Sequence, residues 1–189
     1  MAAIVTGAAS GIGQATAIEL VKRGLALGLF DRANLQCTCE GIRDCVPGCE
    51  IVTVQGDVSD PHDVDRGFEY LHKSFGKPAT VLVNSAGITK DNWIWKLDVE
   101  DWDQVQQVNL KGTFLCTKRF SQQFIQGKAQ NGSIVNIASI IAKCGNIGQT
   151  NYVWNNVVKI MLIVRRHPRQ ESLVSPKVPH WNWPSTRYE

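Results

Sequence analysis

The sequence contains no apolar run of the roughly 18 residues that a membrane-spanning helix requires, and no charged-then-apolar leader opens it. These absences predict a soluble protein of the cytoplasm, or of the mitochondrial matrix if residues precede Met1. Neither sign of charge dominates: 20 Lys and Arg against 17 Asp and Glu leave a formal net charge of +3. The basic residues are dispersed until Arg165, Arg166 and Arg169, so no electrostatic footprint for nucleic acid is present. Paired C-x2-C knuckles are also missing. Four of the six cysteines, Cys37, Cys39, Cys45 and Cys49, follow the spacing C-x-C-x5-C-x3-C, which reads as reduced thiols on a helix and the turn after it, with no metal expected. His62, His72, His167 and His180 are scattered without ligand spacing and read as surface or structural residues.

What is present is an alternation. Five short apolar runs, "AAIVT" (2–6), "LALGLF" (25–30), "EIVTVQ" (50–55), "TVLVN" (80–84) and "SIVNIA" (133–138), are each bounded by Gly, Asp or Asn. They read as buried parallel strands, which need no polar alternation because helices cover both faces. Helix-length segments lie between them at about 11–23, 32–45, 61–75 and 100–127. The third carries a capping Ser59 or Asp60, Pro61 at its first turn and Gly76 after its end. A chain of 189 residues fits one such domain. The expected fold class is therefore α/β: a Rossmann-type doubly wound parallel sheet with helices on both faces, interrupted after about five strands. The domain is expected over 1–164. Residues 165–189, within a stretch from about 157 that holds four of the seven prolines, read as an irregular tail without a βα unit.

The first strand runs into "TGAASGIG", residues 6–13. A dinucleotide's pyrophosphate needs close backbone approach, free N–H groups and the positive end of a helix dipole. Thr6, Gly7, Ser10, Gly11, Ile12 and Gly13, between a strand and a helix, are the candidates to supply them. About 20 residues on, Asp31 ends "LFD", where a carboxylate can accept from the adenosine ribose hydroxyls and repel the extra phosphate of NADP. NAD is the expected cofactor. NADP stays open, because the adjoining Arg32 could receive a 2′-phosphate. Asp57 and Val58 follow the third strand, and Asn84, Ala86 and Gly87 end the fourth; all stand where such sheets bind ligands, at the carboxyl ends of the strands.

Taken in order, "TGAASGIG", "GDVSD", "NSAGITKDN", "VNLKGTFLCTK", "GSIVNIASI" and "GNIGQTNY" resemble the short-chain dehydrogenase/reductase family over residues 1–152. Within it the likeness is to the 3-oxoacyl-[acyl-carrier-protein] reductases and their animal 17β-hydroxysteroid dehydrogenase relatives. The resemblance implies hydride transfer between a nicotinamide and a 3-oxoacyl or 3-hydroxyacyl thioester, with a steroid 17β-hydroxyl or keto group as the other candidate substrate. It implies Asn109, Ser139 and Tyr152 as the catalytic residues, and tetramers built through the helices flanking the active site and a final strand. Ser139, expected at the end of the fifth strand, would hydrogen-bond the substrate oxygen, and Tyr152 would exchange its proton.

A phenol ordinarily holds its proton to about pH 10, and the family places a lysine four residues after its tyrosine to lower that value. Here that position is Asn156, which carries no charge, while Lys159 lies about 10 Å along a helix axis instead of about 6 Å. The sixth strand, substrate lid and seventh strand that the family would add are not recognisable after Tyr152. A catalytically impaired cofactor-binding chain is therefore the alternative reading. Trp93, Trp95 and Trp102, after "NSAGITKDN", read as packing residues in preference to a substrate platform.

Overall fold

A computed structural model describes residues 1–153. Asn156, Lys159, His167, His180 and the expected tail 165–189 lie outside the described residues. The five apolar runs form parallel strands β1 (Ala2–Thr6), β2 (Ala26–Asp31), β3 (Ile51–Gln55), β4 (Val81–Asn84) and β5 (Ser133–Asn136), ordered β3-β2-β1-β4-β5. Winding thus proceeds outward from β1 in one direction and then, from β4, in the other. The point of reversal lies between β1 and β4, whose register pairs Thr6 with Asn84.

Side chains alternate between the two faces of a strand, so β1 serves two cores at once. Ala2 and Ile4 join Phe30, Val54, Phe68, Leu71, Leu82, Phe120 and Phe124 under helices α3 (Pro61–Phe75) and α5 (Thr113–Gln126). Ala3 and Val5 join Leu27, Leu29, Ala17, Val21 and Ile42 under α1 (Gly11–Lys22) and α2 (Gln36–Cys45). Burial of β1 is complete enough, with Ala2, Ala3 and Val5 at 0% exposure, that no polar alternation survives in its sequence.

Local chemistry sets the boundaries. Asp60, and not Ser59, caps α3 by accepting from the His62 N–H at 2.9 Å, and Gly76 closes it in the left-handed conformation at φ 62°. Helix α2 starts at Gln36, four residues later than the expected 32. Asp31 Oδ1 accepts from the Ala33 N–H and Asn34 Oδ1 from the Gln36 N–H, so two short side chains hold the backbone in turns before helix can form. The expected fifth strand, 133–138, ends at Asn136, although the Ile137 N–H still donates to the Asn84 carbonyl. The expected single helix over 100–127 is α4 (Val99–Gln106), a π-helical stretch at Gln107–Gly112 and α5 in continuous succession. Wide turns of this type inside helices recur at functional sites, and this one carries Asn109.

Candidate active site

The chain leaves β1 at Gly7, whose φ of 67° is a left-handed conformation that suits glycine. A Cβ there would also stand 2.7 Å from the Ala86 backbone. Gly13 has a different reason: a Cβ on it would collide with the Gly7 carbonyl, so its absence lets α1 dock against the end of β1. Gly11, at φ 54°, meets nothing within 4 Å of a would-be Cβ, so the loop presents open backbone there. Helix α1 has no acidic residue in its first turn, and the Ser10 side chain makes no capping hydrogen bond. The first-turn N–H groups and the positive helix end therefore face outward without an internal anion.

Two side chains from neighbouring strands shape this loop. Thr6 Oγ1 accepts from the N–H groups of Ser85 and Ala86 at 3.2 and 3.3 Å, joining the ends of β1 and β4. Asp31 Oδ2 accepts from the Ala9 N–H at 2.9 Å. The carboxylate is thus oriented by backbone on both oxygens, with further lone pairs to offer.

A cleft of about 720 Å³ opens at the carboxyl ends of the strands, at the reversal point between β1 and β4. Gly7, Ser10, Gly11, Ile12, Asp31, Asp57, Val58, Ala86 and Gly87 line it, and Tyr152 stands in the same wall. Thr6, Gly13 and Asn84 do not line it and act one layer behind. Thr6 is 1% exposed and spent on the β4 loop; Gly13 is used in helix docking. Asn84, also 1% exposed, donates through Nδ2 to Thr117 Oγ1 at 3.1 Å and Asn136 Oδ1 at 2.9 Å, tying β4 to α5 and β5. Ala33, Asn34, Cys37, Ile88 and Thr89 also line the cleft without having been expected there. Their signal was position alone: each lies a few residues beyond a strand's carboxyl end.

The three catalytic candidates are placed unequally. Tyr152 is half-buried in the cleft wall, and its backbone N–H donates to the Gln149 carbonyl at 3.1 Å and to Asn151 Oδ1 at 2.8 Å. Ser139 lies three residues beyond the end of β5, and its Oγ accepts from the Ile141 N–H at 3.3 Å, opening a short helix α6 (Ile141–Cys144). Asn109 is fully buried. Its Oδ1 accepts from the Ile88 N–H at 2.8 Å and its Nδ2 donates to the Ile88 carbonyl at 2.9 Å. Asn109 therefore satisfies both polar groups of one cleft-lining residue and does not itself reach the cleft.

Residues 90–92 are fastened to the approach to Tyr152. Asn151 donates to the Lys90 carbonyl, Gln149 to Asp91, and the Asn92 N–H to the Gly148 carbonyl, at 2.8–2.9 Å. Trp93 and Trp95 follow, stacked with centroids 4.9 Å apart, yet 49% and 71% exposed. They pack on each other and not into the core. Cys116, by contrast, is sealed in the core, and burial pushes its thiol up to about 12.

The family model for short chain dehydrogenases matches residues 1–153. The (3R)-3-hydroxyacyl-CoA dehydrogenase of Mus musculus is 43% identical over 157 residues, covering 79% of this chain and 60% of the relative. The 3-oxoacyl-[acyl-carrier-protein] reductase of a Synechocystis strain is 36% identical over 151 residues, with the same coverage of 79% and 60%. The chain thus spans about 60% of the length of the curated relatives it matches. Among solved structures, levodione reductase superposes with a TM-score of 0.79 at 28% identity, covering 84% of this chain and 62% of the other.

Proposed function

The chain belongs to the short chain dehydrogenase family, and from that premise we propose that it binds NAD(H) along the β1–β4 cleft and acts as an oxidoreductase on a 3-oxoacyl or 3-hydroxyacyl thioester. One observation carries the reading. A loop suited to a pyrophosphate, an oriented carboxylate suited to a ribose and a tyrosine suited to proton transfer stand in the wall of one cleft.

The residues present fit the dinucleotide. Open backbone at Gly11 and the unoccupied first turn of α1 suit its phosphates. Asp31 keeps acceptor capacity for ribose hydroxyls and would repel a 2′-phosphate, which favours NAD over NADP; Arg32 is the residue that would argue the other way. Asp57, Val58, Ala86 and Gly87 line the same cleft, with the Ala86 backbone close against the loop at Gly7.

When bound, the cofactor supplies or accepts the hydride. Tyr152 gives a proton to the substrate oxygen in reduction and removes it in oxidation. Ser139 does not line the cleft; its Oγ, an acceptor toward Ile141, keeps its own proton, and the family resemblance is what assigns that proton to the substrate oxygen. Asn109 holds Ile88 in the cleft wall. The thioester assignment is supported by what the mouse and Synechocystis relatives are named for; a steroid 17β-position is the other candidate.

Asn156 favours a second reading, that of a cofactor-binding chain with little turnover, because the position four residues after Tyr152 carries no cation. Titration with NADH followed by assay of 3-oxoacyl-CoA reduction separates the two. Binding with turnover supports the enzyme, binding without turnover supports the impaired chain, and no binding at millimolar NADH refutes both. If turnover is weak, Asn156→Lys is expected to raise it by about 10²-fold or more.

A further inference from the structure

We infer that Thr38 is a positioning residue for the phosphate loop, which it governs from behind without touching the ligand. Thr38 is the buried polar residue of α2, at 1% exposure, and it does not line the cleft. A buried hydroxyl must find partners, and this one has two in a fixed direction. Gln14 Nε2, on α1, donates to Thr38 Oγ1 at 3.1 Å, and Thr38 Oγ1 donates its single proton to the Ala8 carbonyl at 3.1 Å.

The same peptide unit is held at its other pole, where the Ala9 N–H donates to Asp31 Oδ2 at 2.9 Å. A peptide is planar, so anchoring its C=O and its N–H fixes the plane from which the backbone of Ser10 to Gly13 departs. The orientation of the phosphate-facing N–H groups thus depends on Thr38 as much as on the glycines. Asp31 links the loop that would hold the pyrophosphate to the carboxylate that would hold the ribose. Without the Thr38 hydroxyl the buried Ala8 carbonyl loses its donor among the described residues, and the peptide turns to find another.

The inference rests on the reading that this loop binds NAD(H), and calorimetric titration of NADH into the 189-residue chain tests the two separately. Thr38→Val, nearly isosteric, should bind about tenfold more weakly than wild type, while Thr38→Ser, which keeps the donor, should stay within about twofold. Wild-type binding with Thr38→Val unchanged overturns the inference and leaves the cofactor reading standing. Thr38→Ser as weak as Thr38→Val overturns it as well. No binding by wild type overturns both. A role confined to stability would lower the urea midpoint of Thr38→Val without changing the affinity of the folded protein. Should Thr38→Val not fold, Gln14→Leu removes the donor to the same hydroxyl from a half-buried position; about threefold weaker binding is expected, and unchanged affinity overturns the inference.

Discussion

On the β1–β2 side of the cleft, backbone reaches the surface packed at contact distance, with Gly7 against Ala86 and Gly13 against Gly7. On the β4–β5 side, the wall is made of loops held in place by side-chain amides: Asn109 on Ile88, Asn151 on Lys90, Gln149 on Asp91. The first construction leaves a mark in sequence, because only glycine satisfies a backbone that close. The second leaves little, since an asparagine gripping a peptide 21 residues away looks like any other asparagine. The first wall is suited to holding a cofactor in one geometry, and the second to presenting a proton donor to substrate.

The largest effect expected from this difference is catalytic and lies on the amide-held side. Tyr152→Phe should lower NADH-dependent reduction of a 3-oxoacyl thioester about 10²- to 10⁴-fold, the range for losing a general acid. NADH affinity should hardly move. A matching fall in NADH affinity would show that the phenol serves binding, and the contrast between a binding wall and a chemical wall would fail.

Next comes the contact-packed side. Gly13→Ala puts a methyl into the Gly7 carbonyl, with backbone and not a flexible side chain in the way. Overpacking of this kind costs about 3 kcal/mol, read as a lowered urea midpoint of the cofactor-free protein. Asn109→Ala follows at about 2 kcal/mol, because it removes both hydrogen bonds to the backbone of Ile88. The substitution also loosens a residue of the cleft wall, so turnover should fall further than NADH affinity. Equal losses of both would mean that the two walls are mechanically one.

Legibility in the sequence follows the same division. The five strands, their parallel order and the glycine loop are readable because continuous β-branched runs and glycine spacing report burial and backbone sterics directly. The start of α2 is misread because Asp31 and Asn34 capture the intervening N–H groups. The π-helical stretch escapes because Gln107–Gly112 keeps an ordinary helical composition, although it carries the Asn109 that reaches Ile88. Thr6, Gly13 and Asn84 carry the right residue types for a cofactor site but are consumed one layer behind it. Residue type places them in the neighbourhood of the cleft, and only packing separates wall from foundation.

Gly11 and Gly13 test that separation most finely, being two residues apart in one motif. Alanine at Gly11 meets open space, so its cost to folding is the left-handed φ of 54° alone, about 1 kcal/mol. That is less than the cost expected at either Gly13 or Asn109. Its methyl would nevertheless project into the volume where a pyrophosphate must approach backbone. Gly11→Ala should therefore bind NADH about tenfold more weakly while unfolding close to the wild-type midpoint, whereas Gly13→Ala should unfold early. Measured side by side by calorimetry and urea unfolding, the two variants should exchange rank between the assays. If Gly11→Ala bound NADH as wild type does, the open face of the loop would not be where the phosphates lie, and the glycines would be there for folding only.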